Sequence, residues 1–205
     1  MKAALEMFHD GGFDPTTMRD IASRAEVAVG AAYYYFESKD AIVLAFYDQA
    51  RSEMEPALEK VLEEGRDLKD RLRGLVDVKL EYFAQSRNLL AALSGHINPE
   101  SPLSPFSKQT RKIREHDIAF FRRALEGSRT PGPKDLAKHL PYLLWMYQMG
   151  IILYWIHDTS RGEARTEFLL DTSLDIVTRL IRLSSLPLTG SIRRSVVQLM
   201  DTLMA

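Results

Sequence analysis

TTMRDIASRAEVAVGAAYYYFESK, from Thr16 to Lys39, reads as two short helices joined by a tight turn and followed by the start of a third. Thr16 or Thr17 offers a hydroxyl oxygen that can accept a hydrogen bond from an otherwise unpaired backbone N–H at a helix start. Met18, Ile21, Ala22 and Ala25 then recur at helical spacing as one apolar face, and Ala22 is small enough to let a second helix approach closely. Val27 is apolar at the turn, and a second helix is expected from Ala28 to about Tyr35. Its opening, Ala28-Val29-Gly30-Ala31-Ala32, has almost no side-chain bulk, so its backbone can enter a major groove. Val29 and Ala31 are then placed to touch thymine methyl groups, and the tyrosine hydroxyls to bond phosphates. Ser38 suits the cap of a third helix with Lys39 just inside it, and a helix N-terminus beside an ammonium is a phosphate anchor. A helical hairpin whose tyrosines fill a core is the plainer alternative, but it gives no reason for this order of cap, turn, bare helix start and Ser-Lys restart. A DNA-reading head does.

The first fifty of the 205 residues resemble the head of TetR-family transcriptional regulators. The resemblance is carried by Ala3-Ala4-Leu5, Phe8, Gly12-Phe13, Thr16-Thr17, Ile21-Ala22, Ala25, Val27, Gly30, Tyr33, Tyr35-Phe36 and Lys39. The remainder matches more loosely, through an all-helical C-terminal part with a Trp-rich penultimate helix. The resemblance implies a helix-turn-helix from about Thr17 to Phe36, with Thr17 meeting a phosphate from the start of its first helix. It implies that Val29, Gly30, Ala31 and Tyr33 face the groove, that Tyr34 and Tyr35 contact backbone or base edges, and that Lys39 holds a phosphate. Phe36, Ile21 and Ala25 are implied to be core.

Three positions depart from the family pattern. Glu26 stands where the family usually has glycine in the turn, and a non-glycine residue in a left-handed conformation costs roughly 1–2 kcal/mol. Ala28 and Val29 stand where a serine cap and a polar or basic residue are common. Helix 1 begins almost at Met1, where a basic N-terminal arm is common.

A chain of this length can bury a sizeable core in one or two domains. It has no cysteine, which excludes disulfides and thiolate metal sites and fits a cytoplasmic protein. Met1 to Gly12 is amphipathic and carries Glu6, His9 and Asp10, unlike a signal peptide. The net charge is −1, so composition alone carries no nucleic-acid signal. The head is more acidic: residues 1–51 hold five Lys or Arg against eight Asp or Glu, a net charge of −3. DNA affinity rests largely on phosphate neutralisation. A single head is therefore expected to bind weakly, and a homodimer presenting two heads gains through effective concentration.

Helices are expected over Ser38–Glu64 (with Pro56 inside it as a potential kink), Asp67–Arg87, Asn88–Leu93, Ser107–Leu125, Lys134–Thr159 and Glu163–Leu183, with a last helix to about Met204. Gly95–Pro105 and Gly127–Pro133 read as loops, and Ser185–Ser191 as a break. Nothing alternates with period two over a useful length, so the fold class is all-α. A helix-turn-helix domain is expected over residues 1–48 and a helical ligand-binding and dimerisation domain over 49–205.

Leu140–Ile156, LPYLLWMYQMGIILYWI, has one clearly polar residue, Gln148. It falls short of the roughly 20 apolar residues that span a bilayer, and a helix apolar all round can instead be buried all round. Leu170, Leu174, Val177 and Ile181 form a stripe on the next helix, expected as half of a four-helix dimer seam. Dimerisation through this penultimate pair is also what the resemblance implies. Tyr82, Phe83, His116, Phe120, Phe121, Trp145, Met149 and Tyr154 are candidates to line an internal cavity, with His116 as a polar anchor, although their spacing also suits plain core, the preferred reading for any single one of them. In the resembling family such a cavity receives a small, often hydrophobic, inducer.

The five histidines are scattered, with no HExxH or Glu-x-x-His pair, so neither a metal nor another cofactor is expected. There is no GxGxxG, P-loop or GxSxG, and an enzyme is not expected. The expectation is a repressor released from double-stranded operator DNA by a small hydrophobic inducer. The alternatives are a TetR-like activator, or a helical dimeric binding protein with weak or no DNA affinity.

Overall fold

The computed structural model describes residues 1–130 and 132–203, which form ten α-helices and no strand. They are α1 (Lys2–Gly11), α2 (Met18–Arg24), α3 (Val29–Tyr35), α4 (Lys39–Glu64) and α5 (Leu68–Phe83). Then follow α6 (Arg87–Leu93), α7 (Arg111–Glu126), α8 (Leu140–Ile156), α9 (Ala164–Ser184) and α10 (Gly190–Leu203). Met204, where the last helix was expected to end, and Pro131 of the second expected loop lie outside the described residues, as does Ala205.

By packing, the chain forms two units. The first comprises Met1–Glu55 with Glu81–Glu115, and the second Pro56–Leu80 with the residues from His116 on. The first unit therefore takes in far more than the segment 1–48. Ala4 and Phe8 of α1, Phe13, Met18 and Ile21 of the α2 region, and Ile42, Val43 and Phe46 of α4 bury together with Leu89 and Leu93 of α6 and Leu103 beyond it. Helix α1 is amphipathic with one face on this core, and Phe8 meets Phe13 edge-on at 5.1 Å. Burial of apolar surface at roughly 25 cal/mol per Å² is what holds such a small unit together.

Helix α5 ends at Phe83 instead of Arg87, giving way to a 3-10 turn over Ala84–Ser86, and three further boundaries differ from the sequence expectation for a local reason. Helix α7 starts at Arg111 instead of Ser107 because hydroxyls take over the backbone bonding before it. The Thr110 hydroxyl donates to Ser104 O (2.7 Å), the Thr110 N–H to Ser107 Oγ (3.2 Å), and the Ser107 hydroxyl to Pro102 O (3.0 Å). Helix α8 starts at Leu140 instead of Lys134 because Pro141 lies in its first turn, where its missing N–H is harmless but a preceding helical turn would clash with its ring. It ends at Ile156 as His157 and Asp158 N–H fold back onto Tyr154 and Trp155 carbonyls. Helix α4 runs through Pro56 for 26 residues.

In the second unit, α8 and α9 pack as an antiparallel neighbouring pair. Their turn is fixed by Asp158, a buried side chain that accepts from Ser160 N–H (2.8 Å), Thr166 N–H (2.9 Å) and the Thr166 hydroxyl (2.7 Å). Burial alone would raise its carboxyl, but the hydrogen bonds from Ser160 and Thr166 outweigh it and hold the group well below the usual carboxylate range. A depressed folded-state value stabilises the fold at neutral pH, fully above about pH 5, and that contribution declines as pH falls toward the folded value. Asp158→Asn should accordingly melt at a lower temperature than the parent at pH 7, with the gap narrowing in melts taken at progressively lower pH. Helix α5 is clasped to α9 by Lys69–Asp175 (2.9 Å) and Arg73–Asp171 (3.3 Å), and to α7 by the buried pair Lys79–Asp117 (2.8 Å). No helix of the described residues is long and apolar enough to cross a membrane.

Candidate nucleic-acid interface

Thr17 is the N-cap of α2, in a reciprocal capping box with Asp20. The Asp20 N–H donates to Thr17 Oγ1 (3.2 Å), and the Thr17 N–H (2.9 Å) and hydroxyl (2.6 Å) donate to the Asp20 carboxylate. Those bonds, the hydroxyl's first, hold the Asp20 carboxyl below its ordinary value. The sequence leaves the cap open between Thr16 and Thr17, and the Thr17-x-x-Asp20 spacing of a capping box is the signal that separates them. The Thr17 hydroxyl proton is committed to Asp20, so a phosphate meeting this helix start has to compete with that carboxylate.

The turn after α2 is a Schellman motif. Val27 N–H donates to Ala22 O (3.0 Å) and Glu26 N–H to Ser23 O (3.1 Å), with Glu26 in the left-handed region at φ 56°. Glu26 thus occupies the site that glycine fills without strain. Glu26→Gly should raise the stability of the first unit by about 0.5–1 kcal/mol, the left-handed cost less the extra chain entropy of glycine. Thermal melts check it; an unchanged or lowered midpoint would show the turn is not strained. Ala25, expected as core, is exposed at the end of α2.

Helix α3 presents its side chains to solvent. None of its residues is buried, and Tyr33, Tyr34 and Tyr35 are 52%, 84% and 75% exposed. Val27 and Val29 are exposed beside them, Gly30 is exposed, and Ala31 is half-buried. The tyrosines therefore fill no core within the chain. Tyr34 and Tyr35 meet edge-on at 5.3 Å. Ala28 caps α3 without a side-chain bond, so the helix start is bare backbone. A side chain added at Gly30 would meet nothing within 4 Å, so no neighbour within the chain requires glycine there.

Ser38 caps α4, its Oγ accepting from Ala41 N–H (3.1 Å). Lys39 follows, but its ammonium donates to Phe13 O and Asp14 O, both at 2.8 Å, and lies 4.3 Å from the Phe13 ring centre. Two of its three N–H donors thus hold the loop between α1 and α2. His96, from the segment after α6, packs edge-on against the same Phe13 ring at 5.4 Å and approaches the Asp14 carboxylate at 3.6 Å. Nothing in the residues around His96 singles it out, because only the fold brings it to this loop.

The eight candidate cavity residues are dispersed. Tyr82 and Phe83 belong to the first unit, where Tyr82 donates to Glu53 and Phe83 meets Phe46 at 6.0 Å. In the second unit Phe120, Phe121 and Trp145 are core, His116 packs on Phe120 at 5.1 Å, Met149 is half-buried, and Tyr154 is 42% exposed. The expected dimer stripe is corrected. Leu170, Leu174 and Ile181 are at most 5% exposed within their own chain and Val177 is half-buried, because this face of α9 is the one that covers the second unit's core. The apolar side chains that α9 exposes are Phe168, Ile176, Leu180 and Leu183, on the opposite face.

A capped helix, a tight turn, an exposed small-residue helix and a capped third helix define a helix-turn-helix head. Comparison with known proteins narrows this. Residues 1–46 match the family model described as bacterial regulatory proteins, tetR family, and residues 71–199 match that of the tetracyclin repressor-like C-terminal domain. The chain belongs to the tetR family of bacterial regulatory proteins.

It is similar to the A-factor receptor protein of Streptomyces griseus, 40% identical over 53 residues (26% of this chain, 19% of the relative). It is also similar to the HTH-type transcriptional regulator YxbF of Bacillus subtilis (strain 168), 24% identical over 169 residues (79% of this chain, 40% of the relative). The chain thus spans less than half the length of these curated relatives. Among solved structures, the fatty acid degradation regulator FadR of Bacillus halodurans shares the fold with a TM-score of 0.65 at 15% identity, over 84% of this chain and 91% of that one. A tetR-family regulatory protein from Rhodococcus RHA1 does so with a TM-score of 0.61 at 20% identity, over 86% and 93%.

Proposed function

We propose that the protein is a homodimeric transcriptional repressor that holds an operator through two α3 helices and releases it when a small apolar effector binds in the second unit. The observation that carries the DNA reading is α3 itself: a helix with no buried residue, three exposed tyrosines and a bare N-terminal turn. Effector responsiveness is supported by family membership and by relatives whose names are those of a receptor and of a fatty acid degradation regulator. For the dimer, half-sites on one face of DNA lie about 34–36 Å apart or a multiple of that. An effector releases DNA only through different affinities for the two head arrangements. Helix α4 carries residues of both units, as α5 and α7 also do, and because it starts at the Ser38–Lys39 restart it is the proposed path for such a change.

The test is binding to the chain's own upstream DNA across a salt series. A sequence-specific complex that weakens as salt rises supports the reading; no preference over random DNA at matched salt removes it. Two substitutions localise the contact. Tyr34→Ala should weaken the complex with thermal stability unchanged, since Tyr34 is 84% exposed. Gly30→Ala should leave the fold intact, or stabilise it by up to about 1 kcal/mol, while weakening the complex because its added methyl stands between α3 and the groove. If Gly30→Ala binds operator as the parent does, α3 does not approach DNA along this edge.

A further inference from the structure

We infer that Gln148 is the polar recognition residue of the effector site in the second unit, and that the effector is an apolar molecule ending in an uncharged group that both donates and accepts a hydrogen bond, as a primary amide does. The inference rests on the effector-responsive reading above. Helix α8 is apolar along its length, and Gln148 is its one amide. That side chain is 0% exposed, and neither Oε1 nor Nε2 has a hydrogen-bond partner among the described residues.

Position excludes a surface or seam role. Gln148 lies in the middle of the buried face of α8, one turn from buried Leu144, Trp145 and Ile151 and two turns from buried Trp155. The side chains that α8 exposes, Met146, Leu153 and Tyr154, are on its other side. Buried polar groups are almost always paired, and a leucine or methionine would occupy this volume without leaving an amide unpaired. A carboxamide carries two N–H donors and an acceptor oxygen. Its complement must give Nε2 an acceptor and Oε1 a donor together. A primary amide or a hydroxyl does both, an ester only the first. An ionised carboxylate beside Leu144 and Ile151 would carry a heavy desolvation cost.

The chain's two tryptophans, Trp145 and Trp155, are both on this face, so tryptophan fluorescence reports binding here. Full-length protein is titrated with octanamide, octan-1-ol and methyl octanoate, which share a chain length and differ in the polar end. Sites built on buried polar groups reject analogues that leave those groups unpaired. In the parent, octanamide should bind at least about tenfold more tightly than methyl octanoate, with octan-1-ol between them. In Gln148→Leu that ratio should fall to about twofold or less while the ester keeps its affinity. Gln148→Met, closer in shape and more adaptable, serves if the leucine variant does not fold. A merely structural glutamine would change stability and leave the ratio alone. If all three probes bind the parent equally, or the ratio survives in the variants, Gln148 is not the recognition residue and the effector reading stands. If none binds the parent, the apolar-effector reading falls and this inference with it.

Discussion

Ile176→Glu combined with Leu180→Glu should give a folded monomer that no longer holds its operator. Helix α9 has two apolar faces with different duties. Leu170, Leu174 and Ile181 are 0%, 0% and 5% exposed and belong to the chain's own core. Phe168, Ile176, Leu180 and Leu183 are 73%, 54%, 57% and 52% exposed and line the opposite face from the first turn to the last. Its neighbour α8 exposes Met146, Leu153 and Tyr154. Two packed helices that each expose apolar side chains are the kind of surface that marks a protein interface, and in the proposed homodimer a second copy would supply the matching pair to make a four-helix seam. Charges at two adjacent positions of that stripe would be buried without partners on association, so the dimer is lost. Because both side chains are exposed in the single chain, the far-UV circular dichroism and melting of the subunit should change little. Operator affinity should fall by at least about a hundredfold as the second head ceases to be tethered, a loss made acute by a head of net charge −3. Sedimentation measures the first effect and operator titration the second. A double variant that remains dimeric places the interface elsewhere. Leu174→Glu is the contrast: it should unfold the second unit.

The same helix shows where reading the sequence stops. Periodicity reveals that 170, 174, 177 and 181 share a face, but not whether that face meets the chain's own core or a partner's. A helix with apolar residues on two sides makes that choice only in tertiary context. The head was more legible because its signals are local. The cap at Thr17 (one of the two threonines the sequence offers), the turn at Glu26 and the restart at Ser38 are each set within a few residues, and the structure has all three. Lys39 shows the limit even there. Its place at the helix start was readable, but its two bonds to Phe13 O and Asp14 O depend on a loop 25 residues away. Pro141 and the Ser104–Thr110 hydroxyls displaced two helix starts by local chemistry that was present in the sequence and outvoted by an apolar pattern.

Least legible was how much chain the DNA-reading unit needs. A fragment ending at residue 55 should not fold, although it contains all of the helix-turn-helix and the whole stretch matched by the N-terminal family model. Leu89, Leu93 and Leu103 are 2%, 6% and 3% exposed in the same core as Ala4, Phe8, Phe13 and Phe46, and α6 lies against α1. Without residues 81–115 those side chains face water, and a unit this small has little other apolar burial to offset its chain entropy. Within the full chain, Leu93→Ala should cost about 2–5 kcal/mol, a large share of the roughly 5–15 kcal/mol that holds a domain together. The two units can be followed separately, because both tryptophans lie on α8 in the second. On mild warming of Leu93→Ala, operator binding and amide protection in α1 and α6 should be lost while the tryptophan signal is still native. A 1–55 fragment that melts cooperatively would show that the head closes its core alone, and that the α6 segment merely rests on it. If instead the fragment is unfolded and Leu93→Ala releases DNA first, α6 is part of the DNA-binding unit, and a displacement of α6 is felt directly by the core beneath α2 and α3.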